Sequence, residues 1–176
     1  MKDVLLIIAP KNFQLQEYRD TKAELEKAGL NVKVASLTSE DSVARDGTVV
    51  KPDYSIEDVK ASDFSAIVVI GGTGATVLGD YYEVLHLLQD FERKGKIVAG
   101  ICIAPTILAK AGVLEGKKAT VWNGDREQST VLEERGAIYE DKDVVRDGNI
   151  VTANGPSASK EFGQKLAEML KEPRFD

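Results

Sequence analysis

The sequence contains one cysteine, one histidine and one tryptophan in 176 residues. A single cysteine excludes an internal disulfide, and one cysteine with one histidine cannot build a Cys/His zinc centre. No carboxylates cluster to replace it, so neither a metal nor a cofactor is expected. Long apolar runs are also missing. Val4 to Ala9 spans about six residues against the roughly 18 that a membrane crossing requires, and no small-residue cleavage site follows a longer apolar segment. A cytoplasmic protein without membrane contact is expected. Basic residues are fewer than acidic ones, 23 against 29 for a formal net charge of -6, and no window concentrates them. That argues against nucleic acid and anionic lipid as partners.

What is present suits one globular domain, 1–176, with a substantial core: 43% of residues are hydrophobic and 30% charged. Val4 to Ala9 reads as a strand buried on both faces, as a parallel sheet requires. Gln14 to Ala28 reads as a helix with Tyr18, Leu25 and Ala28 on one side and Gly29 as its stop. Asn31 to Ser36 returns as a strand, completing a β-α-β unit whose crossover should be right-handed. Between Thr38 and Phe64 the pattern weakens, with a hairpin turn predicted at Asp46-Gly47 and a short strand at Thr48 to Val50. Ala66 to Ile70 is a buried strand running into a flexible glycine loop, Gly71 to Gly74. Tyr81 to Gly95 then carries Tyr81, Val84, Leu85, Leu88 and Phe91 at helical spacing.

Ile97 to Cys102 reads as a further strand, and Pro105 to Ala111 as a helix opened by proline and closed at Gly112. A strand is predicted at Ala119 to Trp122, a helix at Gln128 to Arg135, and a hairpin about Asp147-Gly148 that joins Val144–Arg146 to Ile150–Ala153. Ser159 to Leu170 is a last helix and Lys171 to Asp176 a frayed tail. The alternation predicts an α/β fold: a doubly wound, mostly parallel sheet sandwiched by helices, with ligands at the carboxyl ends of its strands.

Cys102 falls on the last strand position before a helix. That is the geometry of a nucleophile elbow, which holds a side chain out at the sheet edge on strained backbone. The positive end of the helix and its free N–H groups favour thiolate, so a depressed thiol pKa is predicted. The plain alternative is a small buried hydrophobe. Gly71 and Gly72 end a neighbouring strand at the same edge, where glycine lets backbone N–H groups approach an oxyanion near the sulfur. As a dinucleotide fingerprint, Gly72 to Val77 lacks its third glycine and does not follow the first strand.

Glu17, near the start of the first helix, is either a solvated glutamate or a partly buried carboxyl beside Cys102. In the second case burial and a thiolate neighbour would raise its pKa and let it donate a hydrogen bond to sulfur. His86 sits mid-helix between Leu85 and Leu87, away from the end that faces the site. A Cys-His dyad within one subunit is therefore not expected.

Several segments in their order and spacing carry a resemblance: Val4 to Ala9 with Phe13 and Glu17, Val68 to Gly72, Ala99 to Pro105, Ala111 to Leu114, Asp147 to Asn149, and Val151 to Pro156. Over nearly its whole length the chain resembles the DJ-1/PfpI superfamily. The resemblance implies a flavodoxin-like sandwich, usually a homodimer or higher homo-oligomer, with the cysteine on a strained elbow and a glutamate against it. By matching position it implies Cys102 as nucleophile, Glu17 as its carboxyl partner and Gly72 as a backbone donor at the oxyanion position. Gly71, Ile103 and Trp122 are the accompanying candidates for substrate contact. Protease-like and many glyoxalase-like members carry histidine directly after the cysteine, where this chain has Ile103, which argues against peptidase chemistry. Members resembling DJ-1 itself supply histidine from the strand after the elbow helix. Trp122 stands at about that position, with a core or rim aromatic as its plain reading.

Two functions compete. In the first, the Cys102 thiolate attacks the aldehyde of a small dicarbonyl of the methylglyoxal type, as in a glyoxalase or deglycase, and Glu17 shuttles protons. In the second, Cys102 is a non-enzymatic oxidation sensor or belongs to a chaperone, with sulfenate or sulfinate stabilised by Glu17. A glutamine amidotransferase is excluded because no histidine follows Cys102. Flavodoxin and receiver-domain readings fail for want of a phosphate cradle in Pro10 to Gln14 and of an acceptor aspartate after Ile70.

Overall fold

The apolar, β-branched runs become strands because neighbouring elements cover them on both faces. The computed structural model describes residues 2–173. In chain order its elements are β1 (Asp3–Ile7), β2 (Lys11–Phe13), α1 (Leu15–Lys27), β3 (Val32–Ser36), β4 (Ser42–Ala44), β5 (Val49–Val50), β6 (Tyr54–Ser55) and β7 (Phe64–Val69). There follow α2 (Tyr82–Arg93), β8 (Ile97–Ile101), α3 (Pro105–Lys110), β9 (Lys118–Ala119), α4 (Gln128–Glu134), β10 (Ile138–Tyr139), β11 (Val144–Asp147), β12 (Ile150–Ala153) and α5 (Ser159–Leu170). The central sheet has the order β11-β12-β8-β7-β1-β3-β6. Every pairing in it is parallel except the β11–β12 hairpin about Asp147-Gly148.

From β1 the chain crosses by α1 to β3 on one side; from β7 it crosses by α2 to β8 on the other. Right-handed crossovers in opposite directions put α1 and α2 on opposite faces, which is the doubly wound arrangement expected. Helix α5 packs on α1, and α3 packs on α2 and α4. The core lies between these layers and the sheet, with Leu5, Leu6, Ile7, Ile67, Val98 and Ala99 fully buried. The winding reverses between β1 and β7, and the carboxyl ends of β7, β1 and β8 meet there. No helix among the described residues is long and apolar enough to cross a membrane.

Several local expectations are corrected. The strand predicted at Ala119 to Trp122 ends at Ala119, because the next backbone donors turn elsewhere: Thr120 N to Thr152 Oγ1 at 2.9 Å and Trp122 N to Cys102 O at 2.8 Å. Tyr81 precedes α2 as its cap and is exposed, and Leu87 takes the buried place given to it. The Gly71–Gly74 loop is clamped rather than flexible. Gln14 N donates to Gly71 O at 2.9 Å and Gly74 N to Asn12 O at 3.0 Å. In the tail, Arg146 holds Glu172 through two bonds of 2.6 and 2.8 Å; residues 174–176 lie outside the described residues.

Candidate functional site

Cys102 follows β8 directly and has φ +65. A non-glycine residue in that left-handed region costs of order 1–3 kcal/mol and persists only where its surroundings impose it. Here two bonds impose it: Cys102 N donates to Ala153 O at 2.9 Å, and Cys102 O accepts from Trp122 N at 2.8 Å. The chain is thereby pinned between the end of β12 and the segment after β9. The side chain leaves the strand at the carboxyl edge, half-buried, beside the first turn leading into α3.

Gly71 and Gly72 end β7 next to it. Gly71 N donates to Glu17 Oε1 at 2.9 Å. Gly72 has φ +118, and a Cβ there would fall 2.5 Å from Gln14 N and 2.6 Å from Asn12 O. Glycine is therefore required at 72 for both conformation and space. The backbone N–H groups of Gly72 and Ile103 both donate toward the Cys102 sulfur.

Glu17 is the third residue of α1, and its side chain is fully buried. Of the two sequence readings, the structure places it on the inner face against Cys102. Burial raises the carboxyl to about 7, opposed by the Gly71 N–H and by its hydrogen bond with Cys102. Its Oε2 has no partner of good hydrogen-bond geometry among the described residues, so the thiol is the proton-bearing group left to engage it. Burial pushes the thiol up to about 12, with the Glu17 charge and the bond to Glu17 adding to the rise; the Ile103 and Gly72 N–H groups oppose it. The expectation of a depressed thiol is thus corrected. The expected lowering by a helix end is outweighed by desolvation and a like charge. Near pH 7 the carboxyl is about half ionised while the thiol keeps its proton, so Glu17 is the group of the pair that titrates there.

Ile103 is half-buried and contributes its N–H; its carbonyl accepts from Thr106 Oγ1 at 2.6 Å. Trp122 is 40% exposed, and its indole lines a cavity of about 590 Å3 beside the elbow. His86 is exposed on α2, stacked on Tyr82 with ring centroids 5.5 Å apart, and faces a groove against Ile56 and Val59. It takes no part in this site, as the sequence predicts. Among the described residues no group of three or more His, Cys, Asp or Glu could hold a metal ion. Sequence reasoning does not single out Asn123, Arg126 or Tyr139, which share the cavity with Trp122. For Asn123 and Arg126 the one signal is proximity in sequence to Trp122, and Tyr139 has none, because β10 is too short to be read.

The profile of the DJ-1/PfpI family matches residues 2–169. An uncharacterised protein of Methanocaldococcus jannaschii is 39% identical over 96% of this chain and 82% of its own. The crystal structure of a ThiJ/PfpI domain protein from Brachyspira murdochii superposes with a TM-score of 0.91 at 33% identity, covering 96% of this chain and 95% of that one. The crystal structure of Drosophila melanogaster DJ-1beta gives 0.85 at 36% identity, covering 97% and 91%. More distant relatives include a glutathione-independent glyoxalase of Caenorhabditis elegans and a deglycase of Pyrococcus furiosus, each 28% identical, and a putative cysteine protease of Bacillus subtilis at 30%.

Proposed function

The chain belongs to the DJ-1/PfpI family, and from that premise we propose that it is a cysteine-dependent enzyme acting on small reactive carbonyls of the methylglyoxal type, in the manner of a glyoxalase or deglycase. The observation that carries this reading is the fully buried Glu17 carboxyl set against the Cys102 thiol, with the Gly72 and Ile103 N–H groups aimed at the sulfur. The names of the C. elegans and P. furiosus relatives support the choice of chemistry.

The residues suit the steps as follows. Sγ attacks the aldehyde carbon while Glu17 takes the thiol proton; the carbon–sulfur bond forms and the carbonyl π pair moves to oxygen. The Gly72 N–H stabilises the alkoxide, and Glu17 returns the proton to give the hemithioacetal. For a 2-oxoaldehyde, Glu17 then removes the former aldehyde hydrogen as a proton and delivers a proton to the adjacent carbon, while the hemithioacetal hydroxyl proton passes to the neighbouring ketone oxygen, so that the first carbon becomes the thioester carbonyl and the second a carbinol. The resulting thioester is hydrolysed by one water to a 2-hydroxy acid, which frees the thiol. The reaction is the net addition of water, without an oxidant. A buried carboxylate supplies the base that a histidine would otherwise be, which suits a chain with Ile103 after its cysteine.

Turnover of methylglyoxal by wild type, Cys102→Ser and Glu17→Gln tests this reading. Wild type should show a rising limb of kcat/KM near pH 7 as Glu17 loses its proton, and each variant should fall at least about a hundredfold. Undiminished turnover by Cys102→Ser would sink the proposal.

A second reading, peroxide sensing at the same thiol, is supported by the same carboxyl, whose proton can bridge to an oxidised sulfur. Intact mass after mild peroxide should then show two oxygens gained only when Cys102 is present. Oxidation confined to methionine counts against it.

A further inference from the structure

The cavity of about 590 Å3 beside the elbow has Trp122, Asn123, Arg126, Tyr139, Asp141 and Asn154 on its walls. It adjoins the reactive turn through backbone: Cys102 is bonded on one side to Trp122 and on the other to Ala153, the neighbour of Asn154. The polar groups of this cavity are unequally engaged. Asp141 is bonded by the Tyr139 phenol. Asn154 Nδ2 donates to Asp143 at 3.2 Å, and Asn123 Oδ1 accepts from Ser129 N at 3.0 Å. The Arg126 guanidinium, the one cation on these walls, has neither an ion pair nor a side-chain hydrogen bond among the described residues.

Its backbone is held firmly. Arg126 has φ +64, and its N–H donates to Asn123 O at 2.9 Å. Asp125 ties the following turn down by accepting from Glu127 N at 2.9 Å and Gln128 Nε2 at 2.8 Å. The Trp122 indole, on the residue whose backbone N–H is bonded to Cys102 O, packs so closely on Gly124 that a Cβ there would lie 2.6 Å from the ring. The cavity therefore carries the Trp122 indole on the elbow side and, on a firmly held backbone, the exposed and unpartnered Arg126 guanidinium.

We propose that Arg126 is a specificity-determining residue that receives the carboxylate of an aldehyde acid whose carbonyl carbon bonds to Cys102. The inference rests on the carbonyl-directed reading above and narrows its substrates to those with an anion a few carbons from the aldehyde. A guanidinium matches a carboxylate with two parallel hydrogen bonds, and Arg126 has no internal carboxylate partner to displace. On the reactive end, Sγ bonds to the aldehyde carbon, the π pair moves to oxygen, and the thiol proton reaches that oxygen through Glu17.

The test measures how well 4-oxobutanoate and butanal protect Cys102 from iodoacetamide in wild type and in Arg126→Gln. In parallel, the emission of Trp122, the only tryptophan, is titrated with succinate as an unreactive probe. Wild type should be half-protected at an at least about tenfold lower concentration of 4-oxobutanoate than of butanal. Arg126→Gln should abolish that preference, leave butanal unchanged and remove the succinate response, and Arg126→Lys should restore part of both. Equal protection by the two aldehydes in wild type, or a preference that survives Arg126→Gln, overturns the assignment and leaves the carbonyl reading standing. Protection by neither aldehyde overturns the carbonyl reading instead. In that case a succinate response lost in Arg126→Gln still supports the carboxylate site, and its absence overturns the site as well.

Discussion

A Cβ placed on Gly71 would lie 2.6 Å from Ile101 O, 2.7 Å from Cys102 Cβ and 2.7 Å from Glu17 Oε1. None of the three can yield cheaply: the first is strand backbone, the second is the root of the elbow, and the third already accepts the Gly71 N–H. Gly71→Ala is therefore expected to cost about 1–3 kcal/mol in urea denaturation. By forcing the carboxyl off the sulfur, it should also lower kcat/KM for methylglyoxal at least about tenfold; unchanged turnover in a folded variant would show that the carboxyl position is immaterial. In sequence, Gly71 is legible only as a glycine ending a strand. The reason for it is a three-way contact among positions 17, 71 and 102, which no local pattern carries. Glu17 is similar, since helical periodicity cannot tell a buried glutamate from a solvated one in the first turn. The direction of the thiol shift is misread for a related reason. A helix end is visible in sequence, but the desolvation that outweighs it comes from elements distant in the chain.

Helix α1 carries Glu17 into the site, and α5 holds α1 in place. Gly163 lets the two helices touch: a Cβ there would be 2.8 Å from Glu24 Cβ and 3.2 Å from Thr21 Cα. Ser159 Oγ, at the start of α5, donates to Asp20 Oδ2 at 2.5 Å, and Gln16 Nε2 donates to Pro156 O at 3.2 Å. Gly163→Val should push the helices apart, costing about 1–3 kcal/mol, and lower kcat/KM more than the exposed control Gln164→Val does. Thermal unfolding and methylglyoxal turnover measure the two effects, and equal behaviour of both variants would refute the coupling. The long elements are readable because their periodicity extends over several turns or a whole buried strand; α5 is predicted with its observed bounds. The strands β2, β4, β6 and β10, of two or three residues, are not. They exist because a partner strand lies alongside, and a partner is invisible to a window moving along one chain.

At the scale of the molecule, the alternation of apolar strands and helices is enough to predict the doubly wound sheet and the edge that bears the site. It does not reveal that the fold buries an ionisable carboxyl where the winding reverses. Folded, Glu17 titrates at about 7 against an ordinary 4.5. Below about pH 4.5 the carboxyl is neutral in both folded and unfolded chains and its burial is inexpensive. As pH rises toward 7 the unfolded chain ionises first while the folded one keeps its proton, so stability falls; above 7 the loss is complete. The gap between the two values corresponds to about 3 kcal/mol. The carboxylates Asp46, Asp90 and Asp125 are held below their ordinary value by hydrogen bonds, at Asp90 chiefly from Lys94. Their contribution has the opposite sign and is lost only as pH falls below about 4, so the window from pH 5 to 8 isolates Glu17. Urea denaturation should find wild type less stable at pH 8 than at pH 5 by up to that amount. Glu17→Gln should be nearly level across the window and more stable than wild type at pH 8, while its turnover is lost. A wild type equally stable at both pH values would mean that the carboxyl ionises in the fold as readily as in water. The buried base on which the proposed chemistry depends would then be absent.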